Sequence, residues 1–209
     1  MARTQLKLYS DYKSPYAFLV KDLVDELVAD TGTVVDWLPY TLDIPSYLGD
    51  AKVDADGTVV EDNRNPHQWR RVKYSYMDCR REANRRGLTI RGPKKIFESS
   101  LANIGLLFAK REGVFPAYHT MVFERFWRRE LDIEESGAIT AILQEAGADA
   151  TDFAAYAAGE GRELLVQIQS DAEDQGVFGV PSFVFPDGDL YWGREHLPRI
   201  RERLQDEAR

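Results

Sequence analysis

One cysteine, Cys79, is all the thiol chemistry this 209-residue chain carries. A lone thiol excludes an internal disulfide and a thiolate metal cluster, and it leaves no Cys-x-x-Cys pair for dithiol exchange. Histidine is nearly as scarce: His67, His119 and His196 are scattered, with no pair at metal-ligand spacing. No uninterrupted apolar run approaches the ~20 residues of a membrane span, and Met1-Ala2-Arg3-Thr4 leads into a strand pattern without an apolar signal region. Positive charge is in deficit, with 27 Lys and Arg against 35 Asp and Glu and a formal net charge of −8. That balance argues against nucleic acid or an anionic membrane as partner. The expectation is a cytoplasmic protein with no metal, no nucleic acid and no membrane.

What is present begins with Ser14-Pro15. A strand pattern, Leu6-Lys7-Leu8-Tyr9-Ser10-Asp11, runs into Tyr12-Lys13-Ser14-Pro15, and Ala17, Val20, Val24 and Leu27 then fall on one helical stripe. The pair stands where a strand hands over to a helix N-terminus. Ser is a preferred N-cap and Pro suits the first helical position. The same place offers unpaired N–H groups and a positive dipole end to an anion.

Thr33-Val34-Val35-Asp36-Trp37-Leu38 reads as a second strand, completing a strand–helix–strand unit. A turn-rich connection follows from Tyr40 to Asn65, in which Asp54-Ala55-Asp56-Gly57 suits a small hairpin. From Pro66 to Gln175 the pattern is helical almost throughout. Trp69, Val72, Tyr76, Cys79 and Ala83 recur at steps of three and four, with Gly87 placed to end that helix. Further helices are predicted around Ile104–Phe108, around Met121–Trp127, and over 136–146, 150–158 and 161–175. Pro181-Ser182-Phe183-Val184-Phe185 and Asp189-Leu190-Tyr191-Trp192 then read as strands joined by a tight turn. A last helix runs from Arg194 with Leu197, Ile200 and Leu204 inward. The expected class is α/β: strand-rich ends, 1–65 and 176–209, flanking a helical insertion, 66–175.

That outline resembles the thioredoxin fold with an all-helical insert, as in the DsbA-like superfamily. Three segments narrow the likeness: Asp11-Tyr12-Lys13-Ser14-Pro15-Tyr16-Ala17-Phe18, Val177-Phe178-Gly179-Val180-Pro181-Ser182 and Trp192-Gly193-Arg194-Glu195-His196-Leu197. They are similar to signature segments of the 2-hydroxychromene-2-carboxylate isomerases, relatives of kappa-class glutathione transferases. Asp78 and Arg81 extend the resemblance into the insertion.

The resemblance implies glutathione as cofactor, its sulfur at Ser14, and isomerisation of an unsaturated aromatic keto acid, a small-molecule carboxylate. A thiol titrates near ~8.5, and a hydroxyl hydrogen bond of roughly 1.5–3 kcal/mol plus a helix dipole would lower that by about one to three units. Ser14 is then the catalytic residue, as donor to the thiolate. The resemblance further implies a cis Val180-Pro181 bond that leaves the Val180 backbone to pair with the tripeptide. Trp192, Gly193, Arg194 and Glu195 would hold its γ-glutamyl end. Asn65 and Pro66 correspond to a substrate-side position, with a helix N-cap as the equal alternative. Lys52 and Arg64 are loose counterparts of a loop lysine of the family, and a homodimer is implied by resemblance alone.

Alternatives stay open at this level: a kappa-type glutathione transferase, or a thioredoxin-fold protein without dithiol activity that only binds. Lys13 is expected to point to water. Cys79 is expected to be an inert core thiol, and the basic run from Arg80 to Lys95 to be a solvated face.

Overall fold

The structure is a computed structural model describing residues 5–54, 56 and 58–207. In β1 (Gln5–Ser10), Leu6 and Leu8 are fully buried while Gln5 and Lys7 face outward, the period-two pattern of a strand. The chain turns at Asp11–Lys13 and enters α1 (Pro15–Thr31), capped by Ser14 and closed by Gly32 at φ 67°. Helix α1 returns to β2 (Val34–Pro39), which pairs parallel with β1. On the other side of β1 lies the antiparallel strand β5 (Ser182–Val184), followed by antiparallel β6 (Leu190–Trp192), giving the order β2-β1-β5-β6. A 3₁₀ turn, Arg194–His196, opens α9 (Leu197–Glu207). Leu197, Ile200 and Leu204 of α9 share one core cluster with Val20, Val24 and Leu27 of α1 and with Leu6 and Leu8 of the sheet.

Between β2 and β5 the chain forms α2 (Ile44–Leu48), the antiparallel hairpin β3 (Ala51–Val53) and β4 (Val59–Asp62), and the helices α3 (Pro66–Arg85), α4 (Ser100–Arg111), α5 (Phe115–Trp127), α6 (Ser136–Glu145), α7 (Phe153–Ala158) and α8 (Glu160–Asp174). Helix α4 is the hub, buried without interruption from Ala102 to Ala109. Gly105 makes that possible. A Cβ there would overlap the Tyr118 hydroxyl, which donates to the Ala102 carbonyl at 2.8 Å.

The sequence expectations for strands, hairpin and helices hold, with two differences. Helix α2 rises inside the stretch read as turns, because Asp43 caps it and Pro45 fits its first turn. Residues 86–99 are not helical: α3 stops before Gly87 (φ 70°), and Gly92-Pro93 cannot carry a helix onward. Within the hairpin turn, Ala55 and Gly57 lie outside the described residues, while the Asp54 carboxylate accepts from the Asp56 and Thr58 amides. The basic run is only partly a solvated face. Arg86 donates to the Leu19 carbonyl and pairs with Asp22, fastening α3 to α1, and Lys95 pairs with Glu134. No helix among the described residues is long and apolar enough to cross a membrane.

His119 sits in the core against Trp37, Phe115, Phe123 and Tyr12, with the Tyr12 hydroxyl 3.1 Å from Nδ1. Burial pushes its pKa down to about 3, so the folded ring stays neutral while the unfolded ring charges at its ordinary value. The unfolded state therefore binds the extra proton, and stability present above the ordinary histidine range is lost as pH falls toward 3. The slope of this loss is at most about 1.4 kcal/mol per pH unit. Denaturant titrations from neutral to acid pH should show His119→Phe with a shallower acid limb; an unchanged slope would remove His119 as its source.

Candidate active site

The site grows from the cap of α1. The Ser14 amide donates to the Asp11 carbonyl at 3.0 Å, and Ser14 Oγ accepts from the Ala17 amide at 3.2 Å. The oxygen is thus engaged as an acceptor, while its proton meets no acceptor among the described residues. Ser14 is 4% exposed and lines a cavity of about 950 Å³.

Asp11 holds this turn in place. Its carboxylate is buried and accepts from the Lys13 amide (3.3 Å), the Leu42 amide (2.8 Å) and Asn103 Nδ2 (3.4 Å). Lys13 Nζ lies 3.8 Å from it. Burial raises the Asp11 pKa and the Lys13 ammonium opposes the rise. The expectation that Lys13 points to water is corrected here: its side chain is 6% exposed, drawn in by the buried carboxylate two residues before it. Lys13 also lines the cavity.

The facing lip comes from the other end of the chain. The Val180–Pro181 bond is cis, as the resemblance implied. Next to it, Gly179 packs so closely on Trp192 that a Cβ would lie 2.8 Å from the indole Nε1. Trp192 in turn meets Phe178 at 5.0 Å between ring centroids. Gly193 has φ 105°, and the Glu195 carboxylate folds back over it. Glu195 makes no hydrogen bond or ion pair with the described residues. Arg194 is anchored to α3 through Asp78 (3.2 Å) and Glu82 (3.7 Å). Asp78 also receives the Tyr16 hydroxyl at 3.5 Å. Cys79, directly after it, is wholly buried, and burial pushes its thiol up to about 12, the inert core cysteine expected.

The remaining wall is mostly apolar and aromatic, with Arg64, Arg71, Ser75 and Lys95 among its polar members. Helix α2 supplies Ile44, Tyr47 and Leu48, and α3 supplies Arg71, Val72 and Tyr76. The connection after α3 supplies Pro93, Lys95, Ile96 and Phe97. Burial pushes the Tyr47 and Tyr76 phenols up to about 12, so both stay protonated. The Val53 amide donates to the Lys94 carbonyl at 2.8 Å and so joins the hairpin to this connection.

Of the residues singled out from sequence, Ser14, Val180, Trp192, Gly193, Arg194 and Glu195 all line the one cavity. Asn65 and Pro66 do not. Asn65 Oδ1 accepts from the His67 and Gln68 amides while Gln68 accepts from the Asn65 amide, a complete capping box on α3. Arg64 reaches the lining, whereas Lys52 pairs with Glu61 on the hairpin. Arg71, Pro93, Ile96 and Phe97 were not singled out, and Tyr76 and Lys95 were named only as part of a helix stripe and of a basic run. Gly92-Pro93 was a signal for the break; nothing local marks Arg71.

The DsbA-like thioredoxin domain family matches residues 5–205. The 2-hydroxychromene-2-carboxylate isomerase of Sphingobium xenophagum is 27% identical over 204 residues, covering 96% of this chain and 98% of that protein. A solved 2-hydroxychromene-2-carboxylate isomerase superposes with a TM-score of 0.74 at 19% identity, over 98% of this chain and 96% of the other. A probable DsbA oxidoreductase from Streptomyces coelicolor superposes with a TM-score of 0.77 at 17% identity, over 98% and 89%.

Asp11→Asn should lower stability by about 3 kcal/mol, because it leaves the Lys13 ammonium buried beside a neutral amide. Adding Lys13→Met should restore part of that loss in chemical denaturation. A double variant no more stable than Asp11→Asn would show that the pairing carries none of the cost.

Proposed function

The chain belongs to the family of DsbA-like thioredoxin domains, and within it we propose a glutathione-dependent isomerase acting on an unsaturated aromatic keto acid. The observation that carries the reading is the state of the Ser14 hydroxyl. Its oxygen is committed to the helix cap and its proton is left for a partner in the cavity. A donor of that kind at a helix N-terminus suits a thiolate. Dithiol exchange is excluded at this place, since serine stands where the reactive cysteine would be and Cys79 is buried.

The residues present fit a γ-glutamyl tripeptide thiol. No backbone hydrogen bond among the described residues engages the Val180 amide or carbonyl, so both are available for strand-like pairing with a peptide. Glu195 is an unpaired acceptor suited to the glutamyl ammonium, beside the turn opened by Gly193. Trp192 and Phe178 give an apolar lip above them. Bound glutathione would supply the sulfur that adds to a conjugated double bond, permits rotation about the resulting single bond, and departs. Ser14 keeps that sulfur ionised by donating to it, and Asp11 holds the turn that presents the hydroxyl. The 27% identity to the Sphingobium isomerase over nearly the full length supports the reaction class.

Ser14→Ala should cut kcat/KM for such an acid about ten- to a hundredfold and raise the pKa governing its pH profile by one to two units. Ser14→Thr, which keeps cap and donor, should retain activity. Loss of the cap alone costs about 1 kcal/mol, separable by a thermal melt. Turnover unaffected in Ser14→Ala would defeat the assignment, and glutathione binding without isomerisation would favour a transferase.

A further inference from the structure

Among the described residues, five side chains on the cavity wall carry positive charge: Lys13, Arg64, Arg71, Lys95 and Arg194. Four of them are already engaged. Lys13 faces Asp11, Lys95 pairs with Glu134, and Arg194 is shared between Asp78 and Glu82. Arg64 lies over the Trp69 ring and donates through Nε to the Leu48 and Gly49 carbonyls. Arg71 differs. It makes no hydrogen bond and no ion pair with any described residue, although it stands on the α3 face that also carries Val72, Tyr76 and Asp78 into the lining.

Position sharpens the contrast. Asp78, which receives Arg194, marks the end of the cavity assigned above to the tripeptide. Arg71 lies seven residues earlier on the same helix, about 10 Å along its axis at 1.5 Å per residue. Arg71 is exposed, and apart from Ser75 the lining that α2 and α3 contribute around it is apolar or aromatic: Tyr47 and Leu48 on α2, Val72 and Tyr76 on α3. An aromatic body fills such a wall, and a planar guanidinium without a partner is the matching group for a carboxylate, which it can grip with two parallel N–H bonds. We infer that Arg71 holds the carboxylate of the substrate on the α3 wall of the cavity, and so sets specificity for anionic over neutral unsaturated aromatics. This rests on the reading that the Ser14 end belongs to the thiol. It does not depend on Asn65, whose side-chain oxygen caps α3.

Two probes test it on the full chain: trans-cinnamate and its uncharged amide, titrated calorimetrically with glutathione present. The wild type should bind the acid about tenfold more tightly than the amide, and Arg71→Gln should abolish that preference while leaving amide and glutathione binding unchanged. Arg71→Lys keeps the charge without the fork and should fall between. A preference for the acid that survives in Arg71→Gln overturns the inference, as does a wild type that does not distinguish the two probes. Weakened glutathione binding in Arg71→Gln also overturns it, by placing the arginine on the tripeptide's own carboxylates. Titration of the wild type with glutathione alone tests the earlier reading separately; if that fails, the cinnamate comparison is run without glutathione and is judged by the same outcomes.

Discussion

A buried carboxylate governs this architecture. Asp11 leaves β1 at the point where the chain must turn toward α1, and it is removed from water almost completely. An ionised carboxylate in that position is costly unless every lone pair finds a donor. The donors come from three parts of the chain: the Lys13 amide in its own turn, the Leu42 amide after β2, and Asn103 on the central helix α4. Asn103 also donates to Thr41 Oγ1 at 2.9 Å, and the Thr41 amide donates to Gln169 on α8 at 2.9 Å. One residue therefore ties the sheet to the helices around it and fixes the geometry of the serine three positions on.

The cavity divides its labour along the same lines. The strand–helix frame contributes polar backbone and the cap hydroxyl, where positions are set by hydrogen-bond ladders and vary little. The helices and connections between β2 and β5 contribute side-chain bulk: rings from α2, α3 and the segment after Gly92-Pro93. The capped serine turn and the ring-bearing wall thus come from different parts of the chain.

Local grammar explains what was legible in the sequence. Ser14-Pro15, Asn65-Pro66 and the stripe through Val72 and Cys79 are short-range signals, and each element they announce is present. The lip from Phe178 to Pro181 and the turn from Trp192 to Glu195 were found through likeness to a family, since nothing in their local pattern says that they face Ser14. What stayed hidden depends on distant partners. Lys13 is a surface residue by every local rule and is buried beside Asp11, a carboxylate that Asn103, 92 positions away, also reaches. Asn65 is ambiguous in sequence, and the reciprocal bond from its own amide to Gln68 shows that its side chain serves the helix. Arg71 becomes conspicuous only when the partners of every other cation on the wall are known.

The four tryptophans are unequally placed. Trp127 is sealed and Trp37 is 7% exposed, while the Trp69 indole N–H is held by Asp62 at 2.8 Å. Trp192 is 47% exposed and leans on Phe178 at the mouth of the cavity. The protein consequently carries its own optical reporter: a guest entering beside Val180 would change the polarity around Trp192 and leave the two buried indoles, Trp37 and Trp127, as an internal reference for the emission.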